Sequence, residues 1–212
     1  MSIDSRPTLI SAARQFYQMG WMVGTAGNLS AKISDNSFWI TSSGCPKNLL
    51  TVDDFILMTL DRDKGEFFST STQSHPQKRP SAETSIHAAI YNLFPDAQVC
   101  YLVHSIENNL VSRFTNSDNL ALPPLEMLKG LGVWEENPRL EMPIFANHLE
   151  VSRIAEEIFT RFKDTKPQVP ALLIRDHGVT IWADSLEHAN NYIEVVEYIF
   201  RYMVVSQSGQ KG

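Results

Sequence analysis

Cysteine is almost absent from this chain, with Cys45 and Cys100 the only two among 212 residues. They lie far apart and form neither a Cys-x-x-Cys pair nor a disulfide framework, so a reducing compartment, the cytoplasm, is expected. Positive charge is in deficit too, 18 Lys and Arg against 24 Asp and Glu, a formal net charge of −6. That balance argues against nucleic acid as a partner, because neutralising phosphates requires clustered cations. A small anionic substrate stays compatible if local amides and a few cations offset the field. No apolar run approaches the roughly 20 residues that cross a bilayer, and "MSIDSRPTLISAARQF" lacks the basic and apolar segments of an export signal. Neither a membrane span nor an exported product is therefore expected. Walker and dinucleotide fingerprints are also missing. What remains is a chain 43% hydrophobic and 20% charged, which suits a single domain over 1–212 whose core needs no disulfide or structural metal.

Periodicity divides the chain into mixed helices and strands. "RPTLISAARQFYQMGW" predicts a first helix, with Pro7 near its start and Gly20 ending it. "NLSAKISDNSFWITSS" alternates around Asp35–Asn36–Ser37 as a hairpin would, and "FILMTLDRDKGEFF" suggests a second hairpin turning at Asp63–Lys64–Gly65. The polar stretch 69–80 reads as a loop. Next come a helix over "SAETSIHAAIYNLF", a strand in "QVCYLV" and a short helix over "ENNLVSRFTNS". "EVSRIAEEIFTRF" is the clearest amphipathic helix. "ALLIRDHGVTIWA" gives two strands around Asp176–His177–Gly178. Asp184-x-x-Glu187 predicts a capping box for a final helix running to about Ser206. Hairpins interleaved with helices imply a sheet covered on both faces, with several antiparallel pairs.

Two kinds of cluster carry chemistry. "GTAGNLS" (24–30) and "TSSG" (41–44) sit at strand edges, where backbone N–H groups and small side chains can form an anion nest. Singly each is an ordinary turn; paired, and joined by "RPSAE" opening a helix N-terminus, they suggest a phosphate site. Among the histidines, His75, His148 and His188 read as structural, in loops or on helix surfaces. His87 lies four residues after Glu83 on one helix face. His104 and His177 both border apolar strands, where an unpaired imidazole costs about 1–3 kcal/mol. A metal ion is one way to satisfy them.

Taken together, "GTAGNLS", "ITSSG", "RPSAETSIHAAIYNLFPDA", the strand ending at His104 and "ALLIRDHGVTIW" resemble, in order and spacing, the class II aldolase and adducin-head family over nearly the whole chain. The resemblance implies a three-layer α/β/α sandwich with a mixed, mostly antiparallel central sheet. It also implies tetramers with active sites near subunit contacts, and one divalent metal per chain, usually Zn2+, held by a His-x-His pair and a later histidine. Here the pair's second member maps to His104 and the later histidine to His177. The first member maps to Leu102, which cannot donate. Glu83, the family's acidic helix residue, would complete the set, with His75 a lesser substitute.

Within the family, "CYLVHSIENNLVS" and "LEMLKGL" are most similar to members that dehydrate 5-methylthioribulose 1-phosphate in methionine salvage. That resemblance implies Glu126 as the acid/base, although by itself Glu126 reads as a solvated charge after Pro123–Pro124. It implies Asn28, Ser43, Gly44 and Ser81 as phosphate ligands, with Lys47 or Arg79 adding charge. Two rivals stand beside this reading. One is a sugar-phosphate aldolase, for which Tyr198 and Tyr202 keep a terminal tyrosine acid available. The other is a non-catalytic adducin-type module, for which Leu102 would mark a lost metal site.

Overall fold

The computed structural model describes residues 4–61, 66–69 and 78–209. The predicted turn at Asp63–Lys64–Gly65, the centre of the 69–80 loop and His75 lie outside the described residues.

The chain enters through helix α1 (Arg6–Gln18) and forms a hairpin of β1 (Asn28–Ser34) and β2 (Ser37–Thr41). A second antiparallel pair follows, β3 (Phe55–Asp61) with β4 (Glu66–Ser69). Then come α2 (Thr84–Leu93), β5 (Val99–Val103), α3 (Ile106–Val111), β6 (Asn119–Leu122) and β7 (Leu140–Phe145). The last elements are α4 (Val151–Phe162), β8 (Ala171–Ile174), β9 (Gly178–Ala183) and α5 (Leu186–Gly209). The nine strands make one sheet in the order β4-β3-β2-β1-β5-β9-β8-β7-β6. Every neighbouring pair is antiparallel except β7 with β8.

Alternation of side chains along the central strands divides the core into two layers. Val99, Tyr101 and Val103 of β5 face one apolar cluster with α1 and α5; Cys100 and Leu102 face the other with α2 and α4. Strand β8 repeats the pattern, Ala171 and Leu173 on the first side and Leu172 and Ile174 on the second. Helix α4 buries Ile154, Ala155, Ile158 and Phe162, and each large apolar side chain so buried contributes roughly 1.5–3 kcal/mol. The result is the expected α/β/α sandwich.

The structure departs from the sequence expectations in three places. Helix α3 stops at Val111, well short of the expected end. Strands β6 and β7 were not anticipated; each is short, and β7 contains Pro143, a residue that weakens any strand reading. The last helix is capped one residue later than the Asp184 box predicts, since the Ser185 hydroxyl oxygen accepts the His188 N–H at 3.1 Å. Asp184 instead contacts the His188 ring at 2.5 Å.

One buried acid joins α3 to α5. Glu197 of α5 accepts from the Ser105 hydroxyl at 2.6 Å and the Asn108 amide at 3.1 Å, while the Ser105 Oγ caps α3 by accepting the Asn108 N–H at 2.9 Å. Burial outweighs these donors and pushes the Glu197 carboxyl up to about 7. A carboxyl whose folded pKa exceeds its unfolded value binds more protons when folded. Its contribution is therefore full below the unfolded value and is lost as pH rises through about 7. A shift of this size corresponds to about 3 kcal/mol. Urea denaturation of the parent and Glu197→Gln at pH 4.5 and 7.5 should show the parent losing about that much relative to the variant. Parallel pH profiles would overturn this.

Candidate active site

Two tight turns and two strand ends build the site. The Lys47 side chain is buried beneath the first two turns, its Nζ donating to the Thr25 carbonyl and the Cys45 carbonyl, each at 2.9 Å. It thereby ties the 24–30 segment to the 41–44 segment. Burial lowers the Lys47 pKa, with Cys45 and Glu83 opposing. A bridge between Ser42 and Pro80, and a Ser43 N–H bond to the Arg79 carbonyl at 2.8 Å, bring "RPS" alongside. Ser43, Gly44 and Ser81 are thus gathered at one place, and Ser43 and Gly44 are exposed. Gly44 takes φ +74° with open space around it, a conformation glycine adopts without cost.

Asn28 belongs to the same neighbourhood but its side chain is buried, with the residue only 1% exposed. Its Nδ2 donates to Glu83 Oε2 at 3.1 Å, and Ser81 Oγ donates to the same oxygen at 2.5 Å. The other oxygen of Glu83 stands 3.6 Å from His177 Nε2. Burial alone would raise the Glu83 carboxyl, but His177 and Ser81 outweigh it and hold the group at about 2.

His104 follows β5 and its backbone N–H is fixed to the Trp21 carbonyl at 2.8 Å. Its ring centroid lies 4.9 Å from that of His177. Burial first, and the neighbouring His177 second, lower the His104 pKa to about 4, so its imidazole is neutral at pH 7. His104 Nε2 is buried without a hydrogen-bond partner among the described residues. His177 Nδ1 lies 3.2 Å from Asn147 Oδ1. A donated Nδ1–H there leaves the Nε2 lone pair of His177 free, an arrangement common around metal-bound imidazoles.

Among the described residues no three His, Cys, Asp or Glu side chains stand close enough to hold an ion as they are. The donor chemistry nonetheless suits one: two imidazole nitrogens, one of them an unpartnered buried Nε2, and an ionised carboxylate. Leu102 lies on β5 in register with Asn28 of β1 and Thr180 of β9, on the same face of the strand as His104. It is fully buried in the apolar cluster that includes Ile86 and Ile174. Beside it, Thr180 Oγ1 is buried and unpartnered among the described residues.

Glu126 opens a short 3-10 turn over Glu126–Leu131. Its side chain is 85% exposed and pairs with Lys129 at 3.0 Å. In the single chain it stands in solvent, as a charge after Pro123–Pro124 would, and no described contact links it to Glu83, His104 or His177. His148 pairs with Glu157 at 2.8 Å, as a structural histidine does.

Asn147 escaped the sequence reading as a site component, and His87 was placed beside Glu83 on one helix face without its partners. An amide next to a histidine carries no periodic signal, and the bonds of His87 to Asn28 and Ser30 depend on β1 lying against α2.

Fold and geometry agree with the family relations of the chain. Residues 7–204 match the model of the Class II Aldolase and Adducin N-terminal domain, and the chain belongs to that family. Similar curated proteins include a methylthioribulose-1-phosphate dehydratase of Microcystis aeruginosa, 59% identical over 203 residues and covering 96% of both chains. Another of that name, from Leptospira biflexa, is 38% identical and covers 95% of this chain and 97% of its own. Among solved structures, L-fuculose-1-phosphate aldolase from Thermus thermophilus superimposes with a TM-score of 0.75 at 20% identity, covering 97% of this chain and 95% of that one. That likeness attests the fold.

The closeness of the rings rests on Gly178. A Cβ there would collide with the Val103 carbonyl and lie 2.5 Å from His104 Cδ2. Gly178→Ala should therefore destabilise the fold by about 1–3 kcal/mol in urea denaturation. A change below about 0.5 kcal/mol, the scale of an ordinary surface substitution, would show that the contact is easily relieved.

Proposed function

We propose that this chain, acting as a single-domain subunit, dehydrates 5-methylthioribulose 1-phosphate to 2,3-diketo-5-methylthiopentyl 1-phosphate, a step of methionine salvage. The observation that carries the reading is the convergence of His104, its Nε2 without a hydrogen-bond partner among the described residues, with His177 and the Glu83 carboxylate beside the gathered turns. The two relatives carrying the dehydratase name support the choice of substrate.

In this reading His104, His177 and Glu83 hold one zinc per chain. A divalent metal there supplies Lewis acidity toward a ketone oxygen and its neighbouring hydroxyl. Glu83 contributes the negative charge that two neutral imidazoles lack. Ser43, Gly44 and Ser81 bind the phosphate through hydroxyl and backbone donors, with Asn28 at their edge and with Lys47 and Arg79 supplying positive charge. Glu126 takes the proton from C3. The electron pair left behind forms the C3–C4 double bond as the C4 hydroxyl departs, carrying the proton back from Glu126 as water. The enol so formed ketonises to the diketone.

Glu126 stands in solvent in the single chain, so it meets substrate only if sites form where copies of the chain touch. Exposed apolar residues support such contacts: Ile106 is 74% exposed, and Leu110, Tyr198, Tyr202 and Val205 lie open on α3 and α5. No described helix is long and apolar enough to cross a membrane, and we place the enzyme in the cytoplasm as a homotetramer. Light scattering of the purified protein checks the assembly, and a monomer mass would overturn it.

Incubation with the ketose phosphate should release water with no carbon–carbon cleavage. A chelator should remove the activity and zinc restore it. Glu126→Gln should lower kcat roughly 10²- to 10⁴-fold, the usual worth of a general acid/base. A triose or glycolaldehyde product would establish the aldolase instead. No turnover and no zinc uptake would establish a binding module.

A further inference from the structure

Behind Glu83 lies a buried chain of polar groups in which His87, Ser30 and Tyr91 have no role above. It runs from Glu83 Oε2 to the Asn28 amide, from Asn28 Oδ1 to His87 Nε2, from His87 Nδ1 to Ser30 Oγ at 2.6 Å, and on to the Tyr91 hydroxyl at 2.6 Å. His87 and Ser30 are fully buried, Asn28 is 1% exposed and Tyr91 is 4% exposed. Solvent cannot reorganise these groups, so each must satisfy its neighbour.

The end of the chain fixes its direction. An ionised carboxylate only accepts hydrogen bonds, so Asn28 turns its N–H toward Glu83 and its oxygen toward His87. That oxygen is an acceptor, so His87 must carry its proton on Nε2. Full burial lowers the pKa of the ring to about 3 and keeps it neutral, so Nδ1 is bare and accepts the Ser30 hydroxyl proton. Ser30 spends its proton there rather than on its 3.4 Å contact with the Cys100 carbonyl, and its oxygen accepts from Tyr91. Only one arrangement of protons satisfies all five groups.

We propose that His87 is a positioning residue for the Glu83 carboxylate. Held as the Nε2–H tautomer, it keeps the Asn28 amide from turning over and presenting its oxygen to Glu83. The proposal rests on the reading that Glu83 helps hold the cation. It matters more here than in a three-imidazole site, because with Leu102 at the remaining position Glu83 is one of only three donors. A histidine suits the task because its two ring nitrogens reach in opposite directions, one to β1 through Ser30 and the other to Asn28 two residues earlier on the same strand. The alternation of β1 points both side chains at α2.

Two measurements test this without the sugar phosphate. In metal-free protein labelled with nitrogen-15 histidine, the His87 ring should show the Nε2–H tautomer at pH 7; an Nδ1–H or doubly protonated ring overturns the proposal. Cobalt(II) titration, followed by its visible spectrum, should then separate two variants, each confirmed folded by circular dichroism at the temperature used. His87→Gln retains a donor where Nε2–H stands and should bind cobalt nearly as the parent does. His87→Phe fills the space without a donor and should bind about 10- to 100-fold more weakly.

Equal affinity in all three proteins, or equal loss in both variants, overturns the assignment, as does a parent that binds no cobalt. If His87→Phe does not fold, Ser30→Ala takes its place. It frees the ring to change tautomer, so weakened cobalt binding is expected and parent-like affinity is disqualifying. Intact tautomer and cobalt results with no dehydration would bring down the substrate assignment alone. Dehydration with the wrong tautomer would bring down only the role of His87.

Discussion

The Glu83 carboxylate is the constraint around which the site is arranged. It sits at the entrance to α2, mostly removed from water, and one of its oxygens accepts from Ser81 and Asn28 while the other faces His177. A buried carboxylate without such partners would take up a proton; this one is held at about 2. Its charge draws together segments that are distant in sequence: the 24–30 turn through Asn28, the helix opening through Ser81, and the β8–β9 turn through His177. Remove that charge and Asn28 and Ser81 lose their acceptor, leaving buried donors unpaired.

Leu102 gives this site its individual character. Strand alternation places it on the same face as His104, one pleat earlier, where the family pattern has a second imidazole. Its neighbours in the cluster are apolar, and the polar groups beside it are Asn28 and the Thr180 hydroxyl on the two flanking strands, the hydroxyl without a hydrogen-bond partner among the described residues. The donor set proposed above is therefore two neutral nitrogens and an anion rather than three nitrogens, and in such a set the carboxylate becomes structural to cation binding instead of accessory to it. Polarity in this part of the site lies at the opening of α2, beside an apolar position on β5.

Much of this was legible from the residues. Apolar alternation marked the β1–β2 hairpin, apolar runs around turn residues marked β5, β8 and β9, and the 3.6-residue stripe of Val151–Phe162 marked α4. β6 and β7 were missed because four to six residues give little periodicity and Pro143 argues against a strand. The pairing of the 24–30 and 41–44 turns was read from composition alone, but the agent that joins them, the buried Lys47 ammonium, was read only as a charge for phosphate. Asn28 was expected among the phosphate ligands, and the structure turns its amide toward Glu83 and His87. Orientation of that kind depends on which strand lies against which helix, and a single sequence does not carry it. The exposure of Glu126 was equally hidden, since one chain shows only its own half of any contact.

His104 directly follows β5 and His177 directly precedes β9, and these strands are neighbours in the middle of the nine-stranded sheet, with Val103 paired to Val179. The two rings therefore stand just beyond the end of one ladder, His104 after one strand and His177 in the turn before the other. Fraying of edge strands or drifting of surface segments leaves that ladder untouched, because the centre of a sheet is among the last regions to open. The backbone carrying the imidazole pair is consequently anchored to one of the last parts of the fold to open.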